Sequence, residues 1–231
     1  MPARTNWISA RGEPTVTLLL RHGQTPMSVQ KRYSGRTDAP LTDAGVRQAA
    51  AAAKRLGLAS AGIDAIVASP LQRAVRTAGE VAAATGLPVL TDDGFRETDF
   101  GVWEGLTFAE VRERWPSEMA RWLADPSVAP PGGESFAQVS ERVTAALHRV
   151  LASRAHQTVL IVSHVTPIKT LVAAALLAPP AALYRMHLDV AALCEVDWYA
   201  DGPAVLRSFN DTAHLSQQRH RAPESATTPR T

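Results

Sequence analysis

Residues 16–25 read VTLLLRHGQT: a short, mostly apolar run that changes abruptly to polar residues, and this stretch decides the fold. Two later runs have the same form, IDAIVA at 63–68 and TVLIV at 158–162. Near-continuous apolar runs without alternation are typical of strands that are buried on both faces of a parallel sheet. The sequence therefore predicts three central strands.

Helical patterns follow each of these strands. Thr42 is a natural N-cap for the first helix, because its hydroxyl can accept a free amide of the first turn. Pro70 suits the first turn of the second helix, which would end near residue 85. Further helices are predicted at 135–153, where Ser135 would be the cap, and at 165–177.

Near the end of the chain, the segments 191–199 and 204–209 flank Asp201-Gly202, a turn dipeptide, which predicts a hairpin. Strands that alternate with helices elsewhere predict an α/β fold. We expect a three-layer sandwich with a largely parallel central sheet and helices on both faces.

One domain is predicted at 15–212. Residues 1–14 read as a flexible leader or linker, and 213–231 as a disordered tail because that segment has almost no apolar residues. The stretch 91–134 is rich in Trp, Pro and Gly and fits neither a strand nor a helix pattern. We expect it to form a cap insertion over one end of the sheet.

The composition limits the classes of binding partner and the location that are expected. The chain has 24 Lys and Arg against 22 Asp and Glu, with no run of five or six like charges, so binding to nucleic acid or to an anionic membrane is not indicated. No segment approaches the roughly 18 apolar residues of a membrane span, and the N-terminus lacks a secretory core, which makes the cytoplasm the default location. The single Cys194 excludes an internal disulfide and is expected to be buried.

Polar residues follow all three predicted central strands: RHG at 21–23, SPLQR at 69–73 and SH at 163–164. In open α/β sheets, ligands bind beyond the carboxyl ends of the parallel strands. Two histidines and two arginines, up to 143 positions apart in the sequence, are therefore expected at one edge of the sheet.

This set suits phosphoryl transfer, which depends mostly on positioning and on stabilising negative charge at the phosphoryl oxygens. Arginine offers a fixed fork of donors to those oxygens. A neutral histidine can attack phosphorus, and neighbouring arginines favour the neutral form. Gly23 would let the backbone fold tightly over His22, so that a carbonyl could hold the far ring nitrogen.

Further motifs extend this pattern: RYSGRTDAPLTDAGVRQA at 32–49, FRETDFGVWEG at 95–105 and PGGES at 131–135. In this order the motifs resemble those of the histidine phosphatase superfamily, the phosphoglycerate mutase-like group, over roughly 16–210. FGVWEG and PGGES are most similar to α-ribazole phosphatase-like enzymes. The whole chain resembles the acid-phosphatase domain that follows ribonuclease H in actinobacterial bifunctional proteins, and whether it is a fragment of such a fusion is left open.

The resemblance implies a metal-independent phosphomonoesterase that uses no organic cofactor. His22 would become phosphohistidine, with Glu97 as the proton donor and acceptor; nearby Glu104 is the alternative acid. The positions that match phosphate-surrounding residues of the family are Arg21, Arg73 and His164, and the candidate substrate-binding residues are Thr25, Ser28, Ser34 and Gly35. The expected substrate is a small phosphorylated metabolite.

Three positions depart from the family pattern. Ser28 replaces an asparagine of the mutases, and its hydroxyl could still donate a hydrogen bond. Val165 stands where the family commonly has Gly, so the loop after His164 is expected to differ in detail. Thr98 stands where the mutases have Arg, and losing that cation favours hydrolysis over mutase chemistry.

Alternatives to the phosphatase are a phosphoglycerate mutase, a non-catalytic phosphate-binding module and a metallophosphatase. Trp103, Trp115 and Trp122 are expected to pack within the cap rather than line a pocket. The other histidines have no assigned role: His148 and His156 are expected on the surface, His214 and His220 in the tail, and His187 is left open. The physiological substrate and the oligomeric state, a homodimer included, are left open.

Overall fold

The computed structural model describes residues 12–58 and 62–216. Its strands are β1 Thr15–Arg21, β2 Ala65–Ala68, β3 Val89–Thr91, β4 Thr158–Ser163, β5 Leu193–Trp198 and β6 Ala204–Asp211. Its α-helices are α1 Pro26–Val29, α2 Asp43–Leu58, α3 Gln72–Thr85, α4 Phe108–Arg114, α5 Pro116–Ala124, α6 Phe136–Ser153 and α7 Val165–Ala175. Short 3₁₀ helices span Asp93–Phe95, Gly101–Trp103, Pro180–Arg185 and Ala213–Leu215.

The strands within this part of the chain form one mixed sheet in the order β3-β2-β4-β1-β5-β6. The first four strands in this order run parallel, and β5 and β6 form an antiparallel hairpin beside β1. The three strands predicted from the apolar runs are the neighbours β2, β4 and β1, and the predicted hairpin is confirmed with Gly202 at φ +107° in its turn.

Helices cover both faces of the sheet. Leu19 and Ile161 pack in the core on the side of α6 and α7, whereas Leu20 and Val162 pack on the opposite side with α2 and α3. Successive strand residues point to opposite faces, and both faces are apolar because both are covered. The predicted three-layer sandwich with a largely parallel sheet is confirmed.

The helix starts follow their capping residues. The Ser135 hydroxyl accepts the Gln138 amide and so caps α6, as predicted, and the Thr42 hydroxyl accepts the Gly45 amide at the start of α2. Pro70 does not lie in the first turn of α3, which begins at Gln72 after an extended Leu71. The predicted helix 165–177 ends at Ala175, since Leu177 is already in the left-handed region at φ +51°.

The stretch 91–134, called the cap below, contains α4, α5 and two 3₁₀ helices. Its apolar centre is a separate cluster that includes Phe100, Trp103, Met119 and Trp122. The edge strand β3, which brings the chain into the cap, was not predicted, because it has only three residues. Such a strand is too short to show a period.

The ordered chain continues past residue 212, where the tail was predicted to begin. Ala213–Leu215 form a 3₁₀ helix on α2, Leu215 is buried, and the Nε2 atom of His214 lies 3.0 Å from the Ala191 carbonyl oxygen. The rest of the predicted tail, residues 217–231 with His220, lies outside the described residues, as do residues 1–11 of the leader.

The remaining predictions for single residues concern Cys194 and the histidines outside the site. Cys194 is buried, as predicted, and His148 and His156 are exposed, as predicted. His187, which had no assigned role, is exposed beside Asp189. No helix in the two described ranges is long and apolar enough to cross a membrane.

Candidate active site

A cavity of about 410 Å³ opens where the chain leaves the carboxyl ends of β1 and β4, beneath the cap. Parallel strands bring their carboxyl ends to one edge, and this edge holds the polar residues that follow them. The cavity is lined by Arg21, His22, Thr25, Ser28, Arg32, Tyr33, Ser34, Arg73, Glu97, Phe100, Trp122, Phe136, Val165, Thr166, Lys169, Leu183 and Tyr184.

His22 follows β1 directly and is buried in the cavity wall. Its Nδ1 atom lies 2.8 Å from the Gly23 carbonyl oxygen, which confirms the predicted hydrogen bond. A carbonyl only accepts, so Nδ1 carries the proton and Nε2 keeps its lone pair. The turn needs glycine, because a Cβ at position 23 would collide with the Gly45 carbonyl oxygen.

Burial keeps the His22 ring neutral. Desolvation lowers the pKa of His22 well below 6.5, and the positive charges of Arg21 and Arg73 lower it further. A neutral imidazole with a free Nε2 is the form in which histidine is a nucleophile.

Arg21 ends β1 and lines the cavity. One of its terminal amino groups donates to the Leu188 carbonyl over 2.6 Å. Desolvation lowers the pKa of Arg21 to about 10, and Glu97 opposes that shift. The guanidinium is therefore charged at neutral pH and can face an anion in the cavity.

Arg73 lies in the first turn of α3 and is almost completely buried. Its terminal amino groups donate to the carbonyls of Thr37, Ser34 and Gly35 at 2.9, 2.9 and 3.1 Å. Burial lowers the pKa of Arg73, whereas Glu97 raises it. The side chain thus joins α3 to residues 34–37, called the 34–37 loop below.

His164 is fully buried and is not among the residues that line the cavity. Its Nδ1 atom accepts the Arg73 Nε–H over 3.2 Å, and its Nε2 atom lies 2.7 Å from the Ser69 hydroxyl. The ring centroids of His164 and His22 are 5.1 Å apart. The structure brings His164 to the site as predicted from the sequence, but behind Arg73 and with both nitrogens engaged.

The two candidate acids have different surroundings. Glu97 lines the cavity, and its carboxylate accepts the amides of Thr98, Val165 and Thr166 at 2.8, 3.1 and 3.3 Å. Its position thus depends on the first turn of α7, whose free amides face it.

Glu104, in contrast, does not line the cavity. Its carboxylate accepts the amides of Gly35 and Arg36 at 2.8 and 3.0 Å and the Thr37 hydroxyl at 2.9 Å. Glu104 therefore holds the amides of the 34–37 loop, while Arg73 holds its carbonyls.

The residues at the predicted binding positions also differ in whether they line the cavity. Thr25, Ser28 and Ser34 line the cavity, and Thr25 and Ser28 cap α1 reciprocally through their hydroxyls. Gly35 does not line this cavity. A Cβ at position 35 would collide with the Thr98 carbonyl oxygen and with the Glu104 carboxylate, so this glycine sets the path of the loop.

The departures from the family pattern cause little distortion. Val165 begins α7, and no residue from 158 to 176 has a positive φ, so a β-branched side chain is tolerated there. Thr98 is fully buried and does not line the cavity. No cation enters the cavity from position 98.

Lys169 was not predicted as a site residue, but it lines the cavity one turn beyond Val165 and donates to the Leu183 carbonyl over 3.2 Å. Burial lowers the pKa of Lys169, and Glu97 opposes that shift. The spacing of three to four residues from the start of α7 was the available signal, because it puts Lys169 on the same helix face as Val165 and Thr166.

The three tryptophans of the cap differ in burial and in what they contact. Trp103 is fully buried in the cap cluster and Trp115 is half-buried against it, as cap packing predicts. Trp122 belongs to that cluster and also lines the cavity.

Within residues 12–58 and 62–216, no group of three His, Cys, Asp or Glu side chains is arranged to hold a metal ion.

Comparisons with known proteins agree with this geometry. Residues 17–212 match the histidine phosphatase superfamily (branch 1). The chain is 52% identical over 214 residues to Bifunctional protein Rv2228c of Mycobacterium tuberculosis, covering 93% of this chain and 58% of the relative. It is 36% identical over 206 residues to a probable phosphoglycerate mutase, GpmB, of Proteus mirabilis, covering 86% and 94%.

Solved structures are similar as well. A mycobacterial glucosyl-3-phosphoglycerate phosphatase, Rv2419c, in complex with VO3 has a TM-score of 0.78 at 32% identity, covering 86% of this chain and 100% of that one. A putative α-ribazole-5'-P phosphatase of Escherichia coli has a TM-score of 0.78 at 29% identity, covering 86% and 97%. With its matching motifs, fold and cavity, this chain belongs to the histidine phosphatase superfamily.

Proposed function

We propose that the protein hydrolyses phosphate monoesters of small cytoplasmic metabolites through a phosphohistidine on His22, without a metal or an organic cofactor. The observation that carries the proposal is the state of His22. Its Nδ1–H is bound to the Gly23 carbonyl, its ring is neutral, and it lines a cavity together with Arg21, Arg73 and Glu97.

The chemistry follows from these groups. The His22 Nε2 lone pair forms a bond to phosphorus as the bond from phosphorus to the ester oxygen breaks, and protonated Glu97 gives its proton to the leaving alcohol. Ionised Glu97 then takes a proton from water, whose oxygen attacks phosphorus and releases phosphate and free His22. Arg21 and Arg73 stabilise the negative charge of the transferring group.

The second candidate is mutase-type transfer, which the similarity to GpmB favours. A mutase must hold a second phosphate and keep water from the phosphoenzyme. Thr98 supports hydrolysis instead, because it is neutral and buried away from the cavity. A purely phosphate-binding module would not need an acid such as Glu97 in its cavity.

An acid pH range is part of the proposal. Protonation of the nucleophile is what stops most histidine nucleophiles below pH 6. Because burial and two arginines hold the pKa of His22 well below 6.5, its ring stays neutral to a lower pH than an exposed histidine does.

The test is turnover of p-nitrophenyl phosphate by His22→Ala, with the exposed His148→Ala as the matched control. His22→Ala should abolish turnover, and His148→Ala should leave it unchanged. A brief incubation of the unaltered protein with labelled substrate should leave an acid-labile, base-stable phosphoryl group. Undiminished turnover by His22→Ala would refute the mechanism, and loss of activity with a strong chelator would favour a metallophosphatase.

A further inference from the structure

The cavity has an aromatic wall beyond its phosphate-binding end. The wall consists of Tyr33, Phe100, Trp122, Phe136 and Tyr184, all of which line the cavity. These residues come from the segment after α1, the cap, the first turn of α6 and the 3₁₀ helix Pro180–Arg185. Several separate parts of the chain therefore contribute a ring to one surface.

The rings pack directly against one another. Ring centroids are 4.7 Å apart for Tyr33 and Phe100, 5.0 Å for Trp122 and Phe136, and 6.0 Å for Trp122 and Tyr184. Trp103 supports Trp122 from behind in an edge-to-face contact at 5.5 Å. Such contacts fix ring orientation, so the wall is formed before a ligand arrives.

A hydrogen bond fixes the outer ring of the wall. The Tyr184 hydroxyl donates to the Trp122 backbone carbonyl over 2.9 Å, although Tyr184 is 37% exposed. Its hydroxyl is thereby held by the protein, which leaves the ring as the part of Tyr184 that can contact a ligand in the cavity. Tyr184 is also the wall residue whose removal disturbs the buried core least.

The charged residues of the cavity are not part of the aromatic wall. Arg32 lines the cavity but is paired with Glu110 at 2.9 Å. The remaining lining cations are Arg21, Arg73 and Lys169. A bound phosphate takes up most of this charge, and the wall residues themselves are uncharged, so the part of the ligand that packs on them meets a neutral aromatic surface.

We infer that the alcohol part of the substrate carries a neutral, planar aromatic or heteroaromatic group that packs on the aromatic wall. This inference rests on the proposed function, since it concerns the leaving group of the same reaction. It excludes small anionic alcohols, such as hydroxy acids and amino acids, as the preferred partners of the phosphate.

A matched series of alkyl phosphates tests the inference. Their leaving groups are chemically similar, so differences in kcat/KM between them report differences in binding. We expect kcat/KM for 2-(1-naphthyl)ethyl phosphate to exceed that for ethyl phosphate by about 10-fold or more. Hexyl phosphate should lie between them, and 3-phosphoglycerate and O-phosphoserine should not exceed ethyl phosphate. A preference for either acid, or equal values for the hexyl and naphthylethyl esters, would overturn the inference.

Variants locate the preference on the wall. Tyr184→Ala should lower the ratio of kcat/KM for the naphthylethyl ester to that for the ethyl ester, and Tyr184→Phe should restore it. Phe108→Ala is the control, because Phe108 is an exposed ring on α4 outside the cavity. An unchanged ratio in Tyr184→Ala, measured on folded protein, would contradict the assignment.

Binding to His22→Ala separates the two proposals. Tryptophan fluorescence should report tighter binding of the naphthylethyl ester than of ethyl phosphate to this variant, which cannot form the phosphoenzyme. If the unaltered protein hydrolyses no ester but this preference exists, the proposed function fails and the binding surface stands. If the esters are hydrolysed without an aromatic preference, only the inference fails.

Discussion

The Nε–H of Arg73 donates to Nδ1 of His164 over 3.2 Å, joining residues that lie 91 positions apart. This bond fixes the neutral tautomer of His164, because an accepting Nδ1 leaves the proton on Nε2, which then donates to the Ser69 hydroxyl. Arg73 is thus held by a histidine at the end of β4 and by the carbonyls of the 34–37 loop. Arg73, which is proposed to bind the phosphoryl group, is thus oriented by the end of β4 and by the 34–37 loop together.

Replacing Arg73 by Lys should therefore reduce activity strongly, although the positive charge is kept. Lysine cannot bind His164, the loop carbonyls and a phosphoryl oxygen at once, because it lacks the rigid fork of donors. We expect kcat/KM for any phosphate ester to fall by about 100-fold or more.

The matched control for this change is Arg76→Lys, on the exposed side of the same helix, where the side chain pairs with Glu80. Steady-state kinetics and inhibition by inorganic phosphate measure the effect. Equal, small losses in the two variants would show that charge alone is needed at position 73.

Glu97→Gln should reduce turnover according to the leaving group. The amide cannot donate the proton that an alkoxide needs, so alkyl phosphates should lose about 100-fold or more in kcat. p-Nitrophenyl phosphate should lose much less in phosphoenzyme formation, because its phenolate leaves without help. The measurement is burst-phase and steady-state kinetics on both substrates, and an equal loss of the burst rate for both would assign Glu97 another role.

Glu104→Gln should act on the fold of the 34–37 loop rather than on proton transfer. The carboxylate accepts amides and a hydroxyl from this loop, and a glutamine NH₂ would place a donor against these donors. We expect a loss of about 1–3 kcal/mol in the free energy of unfolding and a higher KM, with the same fractional loss for good and poor leaving groups.

Urea unfolding and a two-substrate kinetic comparison measure this effect, and the exposed Glu113→Gln on α4 serves as the control. A dependence on the leaving group like that of Glu97→Gln would instead make Glu104 the acid.

Stability should decrease as the pH falls from 7 to 5. Burial lowers the pKa values of His22 and His164 well below 6.5, so in this window the unfolded state binds protons that the folded state does not. Each group then costs up to about 1.4 kcal/mol per pH unit below about pH 6.5. Carboxylates with lowered pKa values, such as Asp211 at about 2, lose their contribution only at lower pH.

Urea midpoints at pH 7, 6 and 5 measure this dependence. His164→Asn removes one of the titrating groups, so its stability should change less steeply with pH than that of the unaltered protein. A protein that becomes more stable between pH 7 and pH 5 would contradict the buried neutral histidines.

The sequence by itself determined the layers and the edge at which the site lies. Three apolar runs without alternation require a sheet covered on both faces, and β2, β4 and β1 are its neighbouring central strands. The residues that follow them had to meet at one edge, which brought His22, Arg73 and His164 together. The cap that Ser135 forms on α6 could also be predicted from the sequence, because a cap depends on residues only three positions apart.

Only the tertiary structure decided which of these residues face the cavity and which hold other residues in place. Whether Glu97 or Glu104 faces the cavity depends on the amides of α7 and of the 34–37 loop, which are distant in sequence from both acids. The position of His164 behind Arg73 and the ring of Tyr184 in the cavity wall have the same origin. Periodicity reports which face of an element is buried, but the partner of a buried polar group is set by the packing of several elements at once.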